Sequence, residues 1–144
     1  MRKIFILFLL VFTGFVVARA QSRAQLGRMA DQVAIAFSSE KMSSLDAKGL
    51  GRGRVRLTIE NSIAEPEFER YRFPSFAAMG RWITKQEIDG FPARVAWPLV
   101  GCKKGVCNFF QDGGILHNHL YLTKVAYGYR NKRLYIRRIE LLAG

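Results

Sequence analysis

The chain has 144 residues, of which 49% are hydrophobic and 24% are charged, and its 23 lysines and arginines against 11 aspartates and glutamates give a formal charge of +12. This composition fits one globular domain and excludes a disordered chain, a collagen-like chain and, with only 4 prolines, a proline-rich linker. The charge favours anionic partners.

Residues 1–20 have the pattern of a cleaved signal peptide. A short cationic start precedes the uncharged stretch 4–18, which is shorter than the roughly 20 residues that a membrane-spanning helix needs. Ala18 and Ala20 place small residues where a signal peptidase reads, which predicts cleavage after Ala20. The remaining residues, 21–144, would form a single secreted or periplasmic domain. Because cleavage removes three cations and no acid, the formal charge falls from +12 to +9. An uncleaved anchor helix is the alternative.

The first elements after this segment are predicted to be helices. Apolar residues recur at the spacing of one helix face and predict an amphipathic helix over 23–38: Leu26, Met29, Val33 and Phe37. A shorter helix is predicted over 40–48, ending at Gly49. The glycines of 49–53 lack the preceding strand that a phosphate-binding loop requires, so this stretch is interpreted as a linker.

A strand with a basic outer face follows the linker. Val55, Leu57 and Ile59 alternate with arginines, which is typical of a half-buried strand. A second, short strand is predicted over 68–73, and Ser75 is expected to cap a helix that runs through about residue 86.

Three glutamates alternate across the start of the second strand, at Glu65, Glu67 and Glu69. Paired carboxylates can serve glycoside hydrolysis. Because these residues lie around Pro66 in a segment with the character of an exposed loop, a solvated acidic patch is the favoured interpretation.

Four more strands are predicted over 93–100, 106–111, 115–127 and 133–142. Their short, turn-like connections indicate antiparallel pairing of consecutive strands. Pro98 cannot donate a ladder hydrogen bond, so its strand is expected at an edge or with a bulge. In the last strand the apolar residues change face partway along, which predicts a bulge near Arg137 and Arg138.

The chain has two cysteines, Cys102 and Cys107, separated by four residues that include Gly105. Export would place them in an oxidising compartment, where disulfides persist. A structural disulfide at a hairpin tip is the favoured interpretation. Redox motifs normally leave two residues between the cysteines, and a metal site would need more ligands nearby.

The two histidines, His117 and His119, are the weak candidates for catalysis. Two residues apart on a strand, they would share a face with Tyr121, with Trp82 and Trp97 as candidate walls of a cavity. They could act as an acid–base pair or bind a metal. The favoured interpretation is two non-functional histidines after a glycine turn. Neither a metal nor another cofactor is expected, because a metal needs three or four ligands.

The basic residues are the main functional signal in this sequence. They cluster near two hairpin tips, and the candidates for binding an anionic partner are Lys103, Lys104, Arg130, Lys132, Arg133, Arg137 and Arg138. Expected partners are an anionic envelope polymer, a membrane surface or an acidic protein. Nucleic acid is less favoured because the chain is expected to be exported, although tyrosines lie among the C-terminal cations.

The order helix, helix, strand, strand, helix and then consecutive antiparallel strands resembles the nuclear-transport-factor-like cone, a relative of the cystatin-like folds. No residue motif accompanies this resemblance. It implies an α+β domain with N-terminal helices packed on a curved antiparallel sheet of about 4–6 strands, as a cone or cystatin-like roll. It also implies a cavity between sheet and helices and a homodimer through the sheet. Members of this fold include isomerases, dehydratases and non-catalytic binding domains, so the fold does not choose a function.

The expected function is therefore that of an exported basic binding or accessory protein without catalytic activity. The alternative is a small-molecule-binding protein or enzyme that uses His117, His119 and Tyr121.

Overall fold

The computed structural model describes residues 23–61, 67–88, 93–109 and 119–144. It confirms the α+β class, with helices packed on a mixed sheet that is not closed into a barrel. The elements in chain order are α1 (23–38), α2 (Ser43–Ala47), β1 (Val55–Asn61), β2 (Glu67–Phe73), α3 (Phe76–Ile88), β3 (Ala93–Ala96), β4 (Leu99–Lys103), β5 (Val106–Phe109), β6 (His119–Arg130) and β7 (Arg133–Ala143). The expected signal peptide, residues 1–20, lies outside the described residues.

The described strands form one sheet in the order β2-β1-β7-β6-β5-β4, and β3 pairs with the first part of β6. The consecutive pairs β4–β5, β5–β6 and β6–β7 are antiparallel, as their short connections predicted. Two pairs are parallel, β1 with β7 and β3 with β6. These two pairs join segments that are distant in the chain, so the lengths of the connections did not predict them. The sheet is therefore mixed, and the expectation of a purely antiparallel sheet was wrong.

The strand predicted over 93–100 is divided at Trp97 and Pro98 into β3 and β4. Pro98 has no backbone N–H, so the ladder is interrupted there. After the break, β4 pairs with β5 at the end of the sheet, with a register irregularity between Leu99 and Gly101. The expectation of an edge strand or a bulge at Pro98 is therefore confirmed for β4.

A bulge in β7 keeps its apolar residues on one side of the sheet. Ala126 is paired with Arg138 and the next residue of β6, Tyr127, with Ile136, so Arg137 is the extra residue. Ile136, Ile139 and Leu141 are consequently all buried in the core. The bulge predicted from the change of face is confirmed at Arg137.

The core lies between this sheet face and the helices. The predicted apolar stripe of α1 is buried there, together with the apolar faces of α3 and β1, and these three elements contribute Leu26, Met29, Val33, Phe37, Phe76, Met79, Ile83, Val55, Leu57 and Ile59. Full burial of one such side chain stabilises the fold by about 1.5–3 kcal/mol. In the described part of the chain, no helix has the length and apolar character needed to cross a membrane.

The start of α3 is held by side chains from two parts of the chain. Ser75 Oγ accepts a hydrogen bond from the N–H of Ala78 at 3.1 Å, which confirms the predicted cap. The carboxylate of Asp46, in α2, accepts hydrogen bonds from the N–H groups of Phe76 and Ala77 at 3.0 and 2.8 Å. These bonds satisfy N–H groups that a helix start leaves without intrahelical partners, and they fix α2 against α3.

Candidate functional site: a cationic groove

The histidine–tyrosine candidate is only partly within the described residues. His117 lies outside them, whereas His119 and Tyr121 lie on the same face of β6 with ring centroids 6.0 Å apart. Trp97 stacks on Tyr121 at a centroid distance of 4.4 Å, and Tyr121 is 2% exposed. Trp82, the other expected cavity wall, packs instead against the aromatic rings of β2. Tyr121 is thus held in an aromatic stack, and the use of these residues as a site stays a prediction.

The acidic residues bring together no metal site within the ranges that the structure describes. Glu65 lies outside those ranges, and Glu67 and Glu69 are exposed on β2. The carboxylate of Glu69 accepts hydrogen bonds from the Tyr71 hydroxyl and from Asn61 Nδ2, the latter at 3.1 Å. The hydrogen bond to Glu69, assisted by burial, raises the pKa of Tyr71 above its usual value. These contacts fit the predicted solvated acidic patch.

The two cysteines form the predicted disulfide. Cys102 in β4 and Cys107 in β5 are directly paired, with their Cα atoms 4.0 Å apart. The turn between the two strands has positive φ at Lys104 and Gly105, 52° and 73°. Lys103 and Lys104 are exposed there, so the disulfide staples a hairpin that displays two cations.

The β6–β7 hairpin displays a second set of cations. Its turn, at Asn131 and Lys132, has φ values of 49° and 59°, the left-handed pair of a two-residue type I′ turn. Asparagine suits this conformation, but lysine at the second turn position stands where glycine is usual. The turn holds Arg130, Lys132 and Arg133 exposed at the end of the sheet.

A groove of about 660 Å³ lies between this hairpin, helix α1 and the segment that joins α2 to β1. We call it the cationic groove. Its walls carry the cations Arg28, Lys48, Lys132 and Arg133, the amides Gln25 and Gln32, and the apolar side chains Met29, Leu50 and Leu134. A smaller depression of about 410 Å³ shares Arg133 and Leu134 with it and adds Arg52, Asn131 and Tyr135. No acidic side chain lines either space.

Hydrogen bonds fix the segment that forms one wall of the groove. The N–H of Ile136 in β7 donates to the carbonyl oxygen of Leu50 at 2.8 Å. Arg52 Nη1 donates to the carbonyl oxygen of Arg130 at 3.2 Å. Both bonds join the glycine-containing segment to the hairpin, so the stretch interpreted as a flexible linker is tied to the sheet.

No carboxylate in the described part of the chain forms an ion pair with a cation of the groove. The ion pairs within the described ranges join Lys124 and Arg138 to Glu140, at 3.4 and 2.7 Å, on the opposite face of the sheet. The groove lysines and arginines have no ion pair there, and they are exposed. Their positive potential is therefore directed at solvent.

The structure separates the seven predicted anion-binding residues into several locations. Lys132 and Arg133 line the groove, and Arg130 supports it through its carbonyl oxygen. Lys103 and Lys104 occupy the disulfide hairpin, Arg137 is exposed on the bulge, and Arg138 pairs with Glu140. A single patch containing all seven is not formed.

Arg28 and Lys48 belong to the groove, but the sequence did not single them out. Arg28 lies on the exposed side of α1 and Lys48 just after α2, about 100 and 80 residues before the hairpin. Helical spacing indicated only that Arg28 would be outside the core. No local pattern indicates that these two cations meet Lys132 and Arg133.

Comparison of the chain with protein-family models, with curated proteins and with solved structures finds no match.

Proposed function

We propose that this protein is an exported binding protein, without catalytic activity, whose cationic groove holds an anionic polymer of the cell envelope or its surroundings. The observation that supports this best is a groove of about 660 Å³ lined by four cations and no acid. Unpaired exposed cations in a concave surface attract anions more strongly than the same charges spread over a convex surface.

The other groove residues favour a polymer that carries hydroxyl groups as well as charges. Gln25 and Gln32 offer amide donors and acceptors suited to hydroxyls, and Asn131 extends this set into the adjoining depression. Leu50 and Leu134 offer apolar surface to the faces of sugar rings. An acidic polysaccharide presents all three kinds of group along one chain.

Export is supported by the N-terminal pattern of residues 1–20 and by the disulfide between Cys102 and Cys107. Intact-mass measurement of the protein recovered outside the cytoplasm tests this part. The expected mass corresponds to a chain that begins at Gln21 and lacks two hydrogens because of the disulfide. A cytoplasmic product that retains Met1 and two thiols would contradict it.

The groove is tested by titrating the purified protein with polygalacturonate, a polysaccharide of carboxylates and hydroxyls, with neutral dextran as the comparison. Binding is expected to polygalacturonate alone and to weaken as salt rises, because the screening length is only about 10 Å at 0.1 M salt. The variant K132G/R133S should bind about tenfold more weakly, since two exposed ionic contacts are lost.

The matched control is R81S/K85S, which removes the same charge from the exposed side of α3. It should change the affinity for polygalacturonate by less than about threefold. Equal losses in both double variants would mean that net charge rather than the groove binds the polymer, and the proposal would then be abandoned.

A further inference from the structure

Strand β2 is the last strand at its end of the described sheet. It pairs with β1 along one edge, from Glu67 opposite Asn61 to Phe73 opposite Val55. Its other edge has no neighbouring strand among the described residues, and four of its seven residues in succession, 67–70, are exposed. The backbone N–H and C=O groups along such an edge are available to another polypeptide.

The outer face of this end of the sheet, opposite the helices, carries arginines at paired positions. Arg72 of β2 lies opposite Arg56 of β1, which in turn is paired with Arg138 of β7. Neighbouring strands are about 4.8 Å apart, so three positive side chains follow one another across three strands. Arg70 adds a fourth, one pleat further along β2.

This arrangement does not stabilise the isolated domain. Like charges placed directly opposite each other on two strands are destabilising. Arg56, Arg70 and Arg72 form no ion pair with any described residue, since the carboxylate of Glu140 is shared by Arg138 and Lys124. The Nε of Arg138 is also buried without a described hydrogen-bond acceptor. Positive potential is thus concentrated beside the Arg70 and Arg72 part of an open strand edge, whereas Glu60 lies on the same face opposite Phe68.

The two observations together define the chemistry of the occupant. An added strand would place side chains directly beside those of β2, and on the outer face these are Phe68, Arg70 and Arg72. Carboxylates beside the two arginines would form charge-assisted, bidentate contacts with their guanidinium groups. On the inner face its neighbours would be Tyr71 and Phe73, which favour apolar or β-branched side chains. Glu67 and Glu69 also lie on the inner face, so acidic residues of the added strand are favoured only on the outer face.

We propose that the edge of β2 binds an extended segment of another protein in which acidic residues alternate with apolar or β-branched residues. The segment adds a strand to the sheet, and its acidic side chains contact Arg70 and Arg72. A polysaccharide cannot supply the strand ladder, and a second copy of β2 would place its own arginines in the same positive field. This site is separate from the cationic groove and uses none of its residues.

The test uses labelled eight-residue peptides and fluorescence anisotropy with the purified protein. The first peptide alternates glutamate with threonine, and the second has the same composition in two blocks, four glutamates followed by four threonines. The alternating peptide should bind at least about fivefold more tightly, because only its extended form puts every carboxylate on one face. Equal binding would show an unspecific charge effect and would overturn the proposal.

Backbone pairing is tested by N-methylation of alternate peptide bonds, which leaves every carboxylate in place. Methylation of the residues whose N–H groups face β2 should weaken binding at least about fivefold, and methylation of the other set should be tolerated. If neither set has an effect, the peptide does not add a strand and the proposal fails.

Two protein variants identify the surface. R70S/R72S should lose at least about tenfold in affinity, whereas R70K/R72K, which keeps the charges, should recover part of it. Thermal unfolding of each variant shows that the fold is retained. If K132G/R133S, and not R70S/R72S, loses affinity for the peptide, the peptide binds in the cationic groove and the edge proposal is wrong. The polygalacturonate titration is unaffected by R70S/R72S under this proposal, so the two proposals fail separately.

Discussion

The N–H of Ile136 donates a hydrogen bond to the carbonyl oxygen of Leu50 at 2.8 Å, and this bond joins the segment before β1 to the strand after the hairpin. The two residues lie more than 80 positions apart in the chain, yet the contact fixes two walls of the cationic groove relative to each other. Under the proposed function, a groove held in this way would need little rearrangement to bind the polymer, so less binding free energy would be spent on ordering it.

Substitution of Lys132 by glycine should separate stability from binding. Lys132 has φ of 59° in the hairpin turn, a conformation that glycine adopts without steric strain. K132G is therefore expected to keep or raise the free energy of unfolding, by up to about 1 kcal/mol, while the affinity for polygalacturonate falls. Urea unfolding and the polymer titration measure the two effects. A variant that is less stable would show that the lysine side chain supports the turn.

Removal of the carboxylate of Asp46 should destabilise the protein through helix α3. D46A leaves the N–H groups of Phe76 and Ala77 without their acceptors and is expected to lower the free energy of unfolding by about 1–2 kcal/mol. S75A, which removes only the acceptor for Ala78, should have a smaller effect. Chemical denaturation measures which of the two variants loses more stability. If D46A has the same free energy of unfolding as the natural protein, the capping of α3 by Asp46 is refuted.

The protein is expected to lose stability at alkaline pH because of the buried hydroxyl of Tyr127. This hydroxyl is buried without a described hydrogen-bond partner, and burial, assisted by the charge of Asp31, raises the pKa of Tyr127 above its usual value. A raised pKa in the folded state means that the neutral form is preferred there, so stability is complete below about pH 10 and declines above it.

Y127F tests this linkage. The variant should be about 1 kcal/mol more stable than the natural protein at neutral pH, because a buried unsatisfied hydroxyl is removed. The difference should grow by about 1.4 kcal/mol between neutral pH and pH 11. Unfolding measured at several pH values from 7 to 11 gives both numbers, and a pH-independent difference would contradict the assignment.

Deletion of Arg137 should be far more damaging than its replacement. Arg137 is the extra residue of the bulge, so its removal moves either Ile136 or Ile139 and Leu141 to the wrong face of the sheet. We expect the deletion variant to be unfolded at room temperature, whereas R137A should lose less than about 1 kcal/mol. Circular dichroism distinguishes the two. A folded deletion variant would mean that β7 can shift its register at low free-energy cost.

Replacement of both cysteines by alanine should lower stability without affecting the groove. The disulfide closes a small loop, for which the chain-entropy model gives about 2 kcal/mol. C102A/C107A should therefore unfold at lower urea concentration, while the affinity for polygalacturonate is retained because neither cysteine lines the groove. A loss of polymer binding in the folded variant would place the β4–β5 hairpin in the binding site.

Local patterns in the sequence predicted most of the helices and strands and one fine detail of the sheet, although the strand predicted over 93–100 is divided into β3 and β4. The helical spacing of Leu26, Met29, Val33 and Phe37 predicted α1 and its buried side, and the change of face in the last strand predicted the bulge at Arg137. Both signals are local, because they depend only on which side of one element must be buried.

Features that depend on contacts between distant segments were not predictable in this way. The parallel pairing of β1 with β7 follows from the topology of the whole sheet, and no short connection marks it. The same holds for Asp46 at the start of α3, and for Arg28 and Lys48 in the groove. Of the cations predicted from clustering, only Lys132 and Arg133 line it, since clustering in sequence does not determine which strand face a side chain occupies.

The pairing of β1 with β7 has a consequence for how the nascent chain acquires its structure. The two strands lie about 80 residues apart in sequence, so β7 is synthesised long after β1. The middle of the sheet therefore cannot be completed until β7 has been synthesised, and such long-range pairing slows folding. Until then, the edge of β1 that later pairs with β7 has no partner strand, and it could pair there with another polypeptide.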